Sequence, residues 1–178
     1  MNTKLEESLR WGHEYMTSLG IKPIVAGSCL MSLLLFNDLL ENDYEADFAI
    51  DGDEFERLKP TIVKDSHFRD QQKTVAKEGI FYLVYKRDYP PCSFGPHYIV
   101  GDKTFYNIAM DEWLIWDKKH FEKTQTKTYR GVTYNIPYDP IGYLEEYYGG
   151  RWDDFEGRKD WKWKKAKNRI TCSSFPSL

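Results

Sequence analysis

Apolar positions recur at helical spacing from the start of the chain. Leu5, Leu9, Met16 and Leu19 fall near one face of a helix over Leu5–Leu19, and Gly20 ends it. Ile21–Ala26 reads as a short buried strand, with pairing that begins only after Pro23, because proline has no N–H to give a ladder. Gly27-Ser28 turns the chain into a second helix, Cys29 to about Leu40, capped by Ser28 and apolar nearly all round, hence buried. Asp43–Asp51 (DYEADFAID) alternates at period two and predicts a strand. Asp53–Leu58 predicts a helical turn or two, ended by Pro60. Thr61–Asp65, Ile80–Arg87, Tyr98–Val100 and Thr104–Met110 predict strands, with turns at Tyr89-Pro90-Pro91 and Gly101-Asp102. Thr126–Ile136 predicts a further strand or hairpin. Asp139 caps a helix over Pro140–Tyr148, with proline at its first position and Gly149-Gly150 at its end. Strands and helices mix without βαβα alternation, so the predicted fold class is α+β.

Composition bounds the picture further. The 178 residues are 41% hydrophobic, 16% aromatic and 30% charged, which excludes a disordered or collagen-like chain and fits one domain. No apolar run approaches the ~18 residues of a membrane span. The opening MNTKLEESLRWGHE is polar and partly acidic, unlike a secretory leader. Cys29, Cys92 and Cys172 leave one cysteine over from any pairing and form no CxxC, which argues against a disulfide framework and for a reducing, cytoplasmic setting. His13, His67, His97 and His120 lack zinc-ligand spacing. His97, beside Pro96 in what reads as a Gly/Pro-rich loop, is expected at the surface, with a ligand contact as the alternative.

The charge is uneven. Arg158–Ile170 holds seven Lys/Arg and one Asp, against a net acidic body over residues 1–157. The expected organisation is therefore a body, 1–157, and a basic Trp/Lys-rich segment, 158–178. Trp161 and Trp163 interleaved with Lys make that segment a candidate for an anionic partner. The alternative is a helix that packs its Trp rings on the body and shows Lys to water.

Two short features carry candidate chemistry. Gly27-Ser28 sits at a strand-to-helix turn, where glycine admits close backbone approach and the helix N-terminus favours an anion such as a phosphate. Glu45-Ala46-Asp47 places two carboxylates on one strand face, roughly 6–7 Å apart. Such a pair suits Mg²⁺ or Mn²⁺, which neutralises charge building on phosphate oxygens during phosphoryl or nucleotidyl transfer. Lys86, at the end of an apolar strand, is a candidate phosphate contact. Cys29 follows the turn at a helix N-terminus, where thiol pKa values fall, but a buried packing cysteine is the preferred reading.

Together these features resemble the nucleotidyltransferase fold of the DNA polymerase β superfamily, and within it the LicD/fukutin-type family. Three segments carry the resemblance: Leu19–Ser28 (LGIKPIVAGS), Asp43–Leu58 (DYEADFAIDGDEFERL) and the closing Ile136–Asp153 (IPYDPIGYLEEYYGGRWD). The resemblance implies a single domain with a mixed sheet flanked by helices. It implies that Gly27 and Ser28 hold nucleotide phosphates and that Glu45 and Asp47 ligate Mg²⁺ (or Mn²⁺), with Asp43 as an outer contact. The third carboxylate of the superfamily lies on a later strand, where this chain offers Asn107 or, beyond it, Asp111. Asn107 ligates through its carbonyl but is no general base. The family's base inside the second helix is absent from Leu33–Phe36. The implied activity is transfer of a phosphocholine-like or sugar-phosphate group from a nucleotide-activated donor to a hydroxyl acceptor. Nucleotide transfer to RNA or protein, and a catalytically degenerate binding module, are the alternatives.

Overall fold

Asn2 opens the first helix, α1 (Thr3–Ser18), its side-chain oxygen accepting from the Leu5 amide at 3.1 Å. The computed structural model describes residues 2–62, 81–83, 88–109, 111–154 and 165–171. After α1 come β1 (Ile24–Val25), α2 (Gly27–Leu35), β2 (Ala46–Asp51), α3 (Gly52–Ile62) and β3 (Phe81–Leu83). They are followed by β4 (Cys92–Val100), β5 (Lys103–Ala109), β6 (Glu112–Asp117), α4 (Lys119–Glu122), β7 (Thr124–Tyr129), β8 (Val132–Pro137), α5 (Pro140–Tyr148) and β9 (Arg169–Thr171). The mixture is α+β, as predicted.

The strands form one mixed sheet in the order β7-β8-β1-β2-β4-β5-β6-β9, with β3 also on β4. β2 runs antiparallel to β1 and parallel to β4, with Asp47 beside Ser93 and Asp51 beside His97. Side chains alternate across a strand, so the two faces carry different residues. On one face Phe48 stacks on Phe94 at 5.0 Å, and α1 lies so close that a Cβ at Gly12 would sit 2.7 Å from Cys92 Sγ. On the other face, Asp47, Ser93, Gly95 and His97 follow one another in register, and the ring of Tyr106 covers Gly95. There His97, Trp116, Phe121, Tyr143 and Tyr147 form an aromatic cluster between the sheet and α5.

Several sequence expectations need correction. α2 ends at Leu35, not Leu40, because Asn37 adopts a left-handed φ of 51°. Its N-cap is Ala26, which has no capping side chain, and Ser28 is already inside the helix. Pro60 lies within α3 and does not end it. It is exposed in the last turn, and Thr61 and Ile62 continue the helix rather than forming a strand, while residues 63–65 of that predicted strand lie outside the described residues. β4 starts at Cys92, six residues before the predicted strand at Tyr98. Gly95 and Pro96 hide it in the sequence, yet both fit: Pro96 falls in the gap between the pairing of β3, at Phe94, and of β5, at Tyr98. His97 is therefore a buried strand residue and not a surface loop residue. β6 was not legible in the pattern at all. From the predicted Ile80–Arg87 strand, Phe81–Leu83 is observed, and Lys86 lies outside the described residues. Of the basic C-terminal segment, residues 165–171 are described, and their β9 pairs antiparallel with β6. Among the described residues no helix is long and apolar enough to cross a membrane.

Candidate functional site

The turn between β1 and α2 brings the predicted residues together. Gly27 opens α2 with φ 54°, and a Cβ there would lie 2.6 Å from Asp47 Oδ2. Glycine is thus required twice, by the backbone angle and by the closeness of the carboxylate. Asp47, the second residue of β2, points across at the helix N-terminus. Its Oδ2 accepts from the Ser28 amide at 3.2 Å and lies 3.0 Å from Ser28 Oγ, while Oδ1 accepts from Ser93 Oγ at 2.8 Å. Asp47 therefore supplies, from a neighbouring strand, the cap that Ala26 cannot give α2.

Asp43 and Glu45 complete an acid cluster. Ser28 Oγ donates to Asp43 Oδ2 at 2.5 Å, and Asp43 Oδ1 accepts from the Tyr44 amide at 3.1 Å. Ser28 has one proton to offer two carboxylates, so the cluster is short of protons if both acids are ionised. Glu45 is half-buried, and no hydrogen bond among the described residues reaches its carboxylate. No Lys or Arg among the described residues pairs with Asp43, Glu45 or Asp47.

The electrostatic result follows. Burial, then the charges of Asp47 and Asp43, push the Glu45 carboxyl up to about 8. Burial and Asp43 push Asp47 up to about 6, against the lowering effect of its hydrogen bonds from Ser93 and Ser28. Asp43 is raised by burial as well. A helix N-terminus softens the repulsion but does not cancel three acids. Such a cluster takes up protons or a cation.

The donor chemistry fits a divalent cation of the Mg²⁺ type. Among the described residues no group of three or more His, Cys, Asp or Glu side chains is arranged to hold a metal by itself. Mg²⁺ is held by one or two carboxylates and completes its shell with water and ligand phosphate. Glu45 has both oxygens unengaged, and Asp43 and Asp47 each keep lone pairs beside them.

The other predicted residues lie elsewhere. Asn107 is on β5, its amide donating to the Glu112 carbonyl at 3.4 Å within the β5–β6 hairpin, and Asp111 is exposed in the turn of that hairpin. The structure does not bring either into the hydrogen-bonded group of Ser28, Asp43 and Asp47. Cys29 is fully buried, its thiol 3.6 Å from the Glu45 carbonyl, and burial raises its pKa, so it packs and does not act as a thiolate. His97 Nδ1 lies 2.7 Å from the Gly95 carbonyl, and burial drives its pKa down to about 4.

Two residues at the site were missed from sequence. Ser93 is the β4 residue in register with Asp47, and β4 carries no carboxylate from Cys92 to Val100. Tyr143, on α5, brings its hydroxyl to the Gly27 amide at 3.5 Å. The sequence signal for Tyr143 was indirect: Asp139, which caps α5 by accepting from the Gly142 amide at 3.0 Å, fixes the start and hence the phase of that helix. No family model matches the chain, and no curated protein matches it significantly, so the reading of function rests on this geometry.

Proposed function

We propose that the protein is a Mg²⁺-dependent (or Mn²⁺-dependent) transferase of the nucleotidyltransferase type. In this reading it moves a phosphocholine-like or sugar-phosphate group from a nucleotide-activated donor to a hydroxyl acceptor. The observation that carries the reading is the uncompensated acid cluster of Asp43, Glu45 and Asp47 gathered at the N-terminus of α2. Glu45 and Asp47 would hold the cation, with Asp43 beside them. The cation, when bound, would neutralise charge on the phosphate oxygens and the leaving group. Ser28 and Ser93 orient the Asp47 carboxylate, and Gly27 leaves the turn open enough for it to approach. An ionised carboxylate of the cluster would take the acceptor's proton.

The test is thermal stability with Mg²⁺ or Mn²⁺ and a panel of ATP, GTP, CTP, UTP and CDP-choline. Wild type and Glu45→Gln run side by side, because the Glu45 carboxylate accepts no hydrogen bond among the described residues and its carbonyl, which meets Cys29 Sγ, is kept. The expected result is an upward shift that needs both metal and nucleotide and disappears in Glu45→Gln. No shift with any pair would sink the reading. A second reading, a ligand-binding module without turnover, draws on the want of a third carboxylate: β4, the strand next to Asp47, carries none from Cys92 to Val100, and the hydrogen-bonded group of Ser28, Asp43 and Asp47 includes neither Asn107 nor Asp111. Binding without product formation over a panel of acceptors would favour it. Labelling of RNA or protein by a nucleotide would favour direct nucleotide transfer.

A further inference from the structure

We infer that β7 is a docking edge for a second copy of this chain, and that two copies pair antiparallel about a two-fold axis at Thr126. The inference stands apart from the acid cluster and does not rest on the proposed activity.

β7 (Thr124–Tyr129) closes one side of the sheet, pairing with β8 and with no other strand among the described residues. The hairpin that joins β7 to β8 fixes which way its backbone points. Arg130 and Gly131 have φ of 46° and 79°, and Tyr129 pairs with Val132 across them, the pattern of a two-residue type I′ turn. In such a turn the flanking residues exchange both hydrogen bonds, and bonded and non-bonded pairs alternate from there. Tyr129, Lys127 and Gln125 therefore spend their N–H and C=O groups on β8. Thr128, Thr126 and Thr124 turn theirs outward. Two details agree. The hydroxyls of Thr128 and Thr133 approach to 3.2 Å, as the closer side chains of a non-bonded pair do. Pro137, which has no N–H to give, falls opposite Thr124.

The two edges of the sheet are guarded differently. β9, on the far side, is three exposed residues long and carries Arg169 against Glu112. β7 has six residues, no proline, no shift in its register and one charged side chain, Lys127. Strand edges that stay single carry more protection than this. Its outward positions are all threonine, a residue suited to strands.

The sequence of β7 also selects the partner. Across the edge, backbone bonds form only where outward residues meet outward residues. With Thr126 opposite its own copy, Thr124 meets Thr128 on both sides of the axis. Gln125 then faces Lys127 of the second copy, twice, with the side chains on one face. No lysine opposes a lysine in this register. The Gln125 amide nitrogen stays on the Tyr138 carbonyl, and its oxygen accepts from the ammonium. A two-fold contact occupies β7 in both copies, so assembly closes at a dimer.

The test is the mass of the purified full chain from micromolar to submillimolar concentration, by sedimentation equilibrium. Wild type should be a dimer that dissociates on dilution. Gln125→Lys sets two like-charge pairs across the axis and should weaken association about fivefold, and adding Lys127→Glu to it should restore association. Thr126→Pro removes an outward N–H that the pairing with β8 does not use, and should leave a folded monomer by circular dichroism. Thr126→Cys sets two Cα atoms about 5.5 Å apart across the axis and should give a disulfide-linked dimer on mild oxidation. Wild type that stays monomeric at every concentration overturns the inference. So does a dimer that Gln125→Lys leaves equally tight, or that the added Lys127→Glu does not restore. Should Thr126→Pro not fold, the charge variants decide alone.

Discussion

Raising the pH in the absence of divalent cations should cost the protein stability through one residue. Glu45 has a value of about 8 in the folded protein, above its unfolded 4.5, so the folded form keeps a proton that the unfolded chain has released. The stability tied to that proton is complete below the unfolded value and is lost as pH rises through about 8. At about 1.36 kcal/mol per unit, the loss between roughly pH 6.5 and pH 8.5 is about 2 kcal/mol. For a chain of this size that is about 4–8 °C in Tm. His13 and His97, whose values are lowered, and Cys29 and Cys92, whose values are raised, also bend the profile. The clean quantity is therefore the difference between wild type and Glu45→Gln, in which those contributions cancel. The assay is thermal or urea unfolding of both proteins with EDTA across that window. Wild type should fall relative to Glu45→Gln as pH rises, and saturating Mg²⁺ should flatten the difference by standing in for the proton. Parallel curves in EDTA would refute the assignment of Glu45 as an uncompensated acid.

Two further outcomes follow from the turn. Gly27→Ala places an L side chain at φ 54° with its Cβ 2.6 Å from Asp47 Oδ2, so it should destabilise by about 1–2 kcal/mol from the backbone alone, read as a lower Tm, and weaken any metal-dependent nucleotide shift. Asp47→Ala should be about 1 kcal/mol less stable than Asp47→Asn when both are measured against wild type at roughly pH 5.5, below the Asp47 value of about 6, because asparagine keeps an acceptor for the Ser28 amide; equal urea midpoints would sink the capping role.

What could be read from the chain was what local chemistry decides. α1 and α5 announce themselves by spacing and by Gly20, Asp139 and Gly149, and the late start of β1 follows from Pro23 alone. The clustering of Gly27, Ser28, Asp43 and Asp47 was legible because a turn, a helix and the next strand are close in sequence. β4 was not legible, since Gly95 and Pro96 are strand residues only because Tyr106 covers one and a gap in the edge pairing admits the other. Ser93 and Tyr143 were out of reach for the same reason: their roles depend on register with Asp47 and on where α5 lands. The cap of α2 was assigned to Ser28 because caps are usually local, whereas here a strand 19 residues away provides it.

The three acids differ in how much of their presence the fold explains, and that difference is the strongest guide to function. Asp47 has a structural occupation: it caps α2 and ties β2 to Ser93 on β4. Asp43 has part of one, through Ser28 and the Tyr44 amide. Glu45 has none, and its neighbours make it costly to ionise. Were the cluster only a device to hold the turn, Asp47 with the two serines would suffice, and a neutral residue at 45 would make the protein more stable above about pH 8. A half-buried acid whose carboxylate accepts no hydrogen bond among the described residues calls for a partner that compensates it, and in the proposed reading a divalent cation held by Glu45 and Asp47 would do so. Glu45, more than the better-bonded Asp47, is accordingly the residue whose neutralisation separates function from fold: Glu45→Gln should raise stability in EDTA and abolish the metal-dependent response in the same protein.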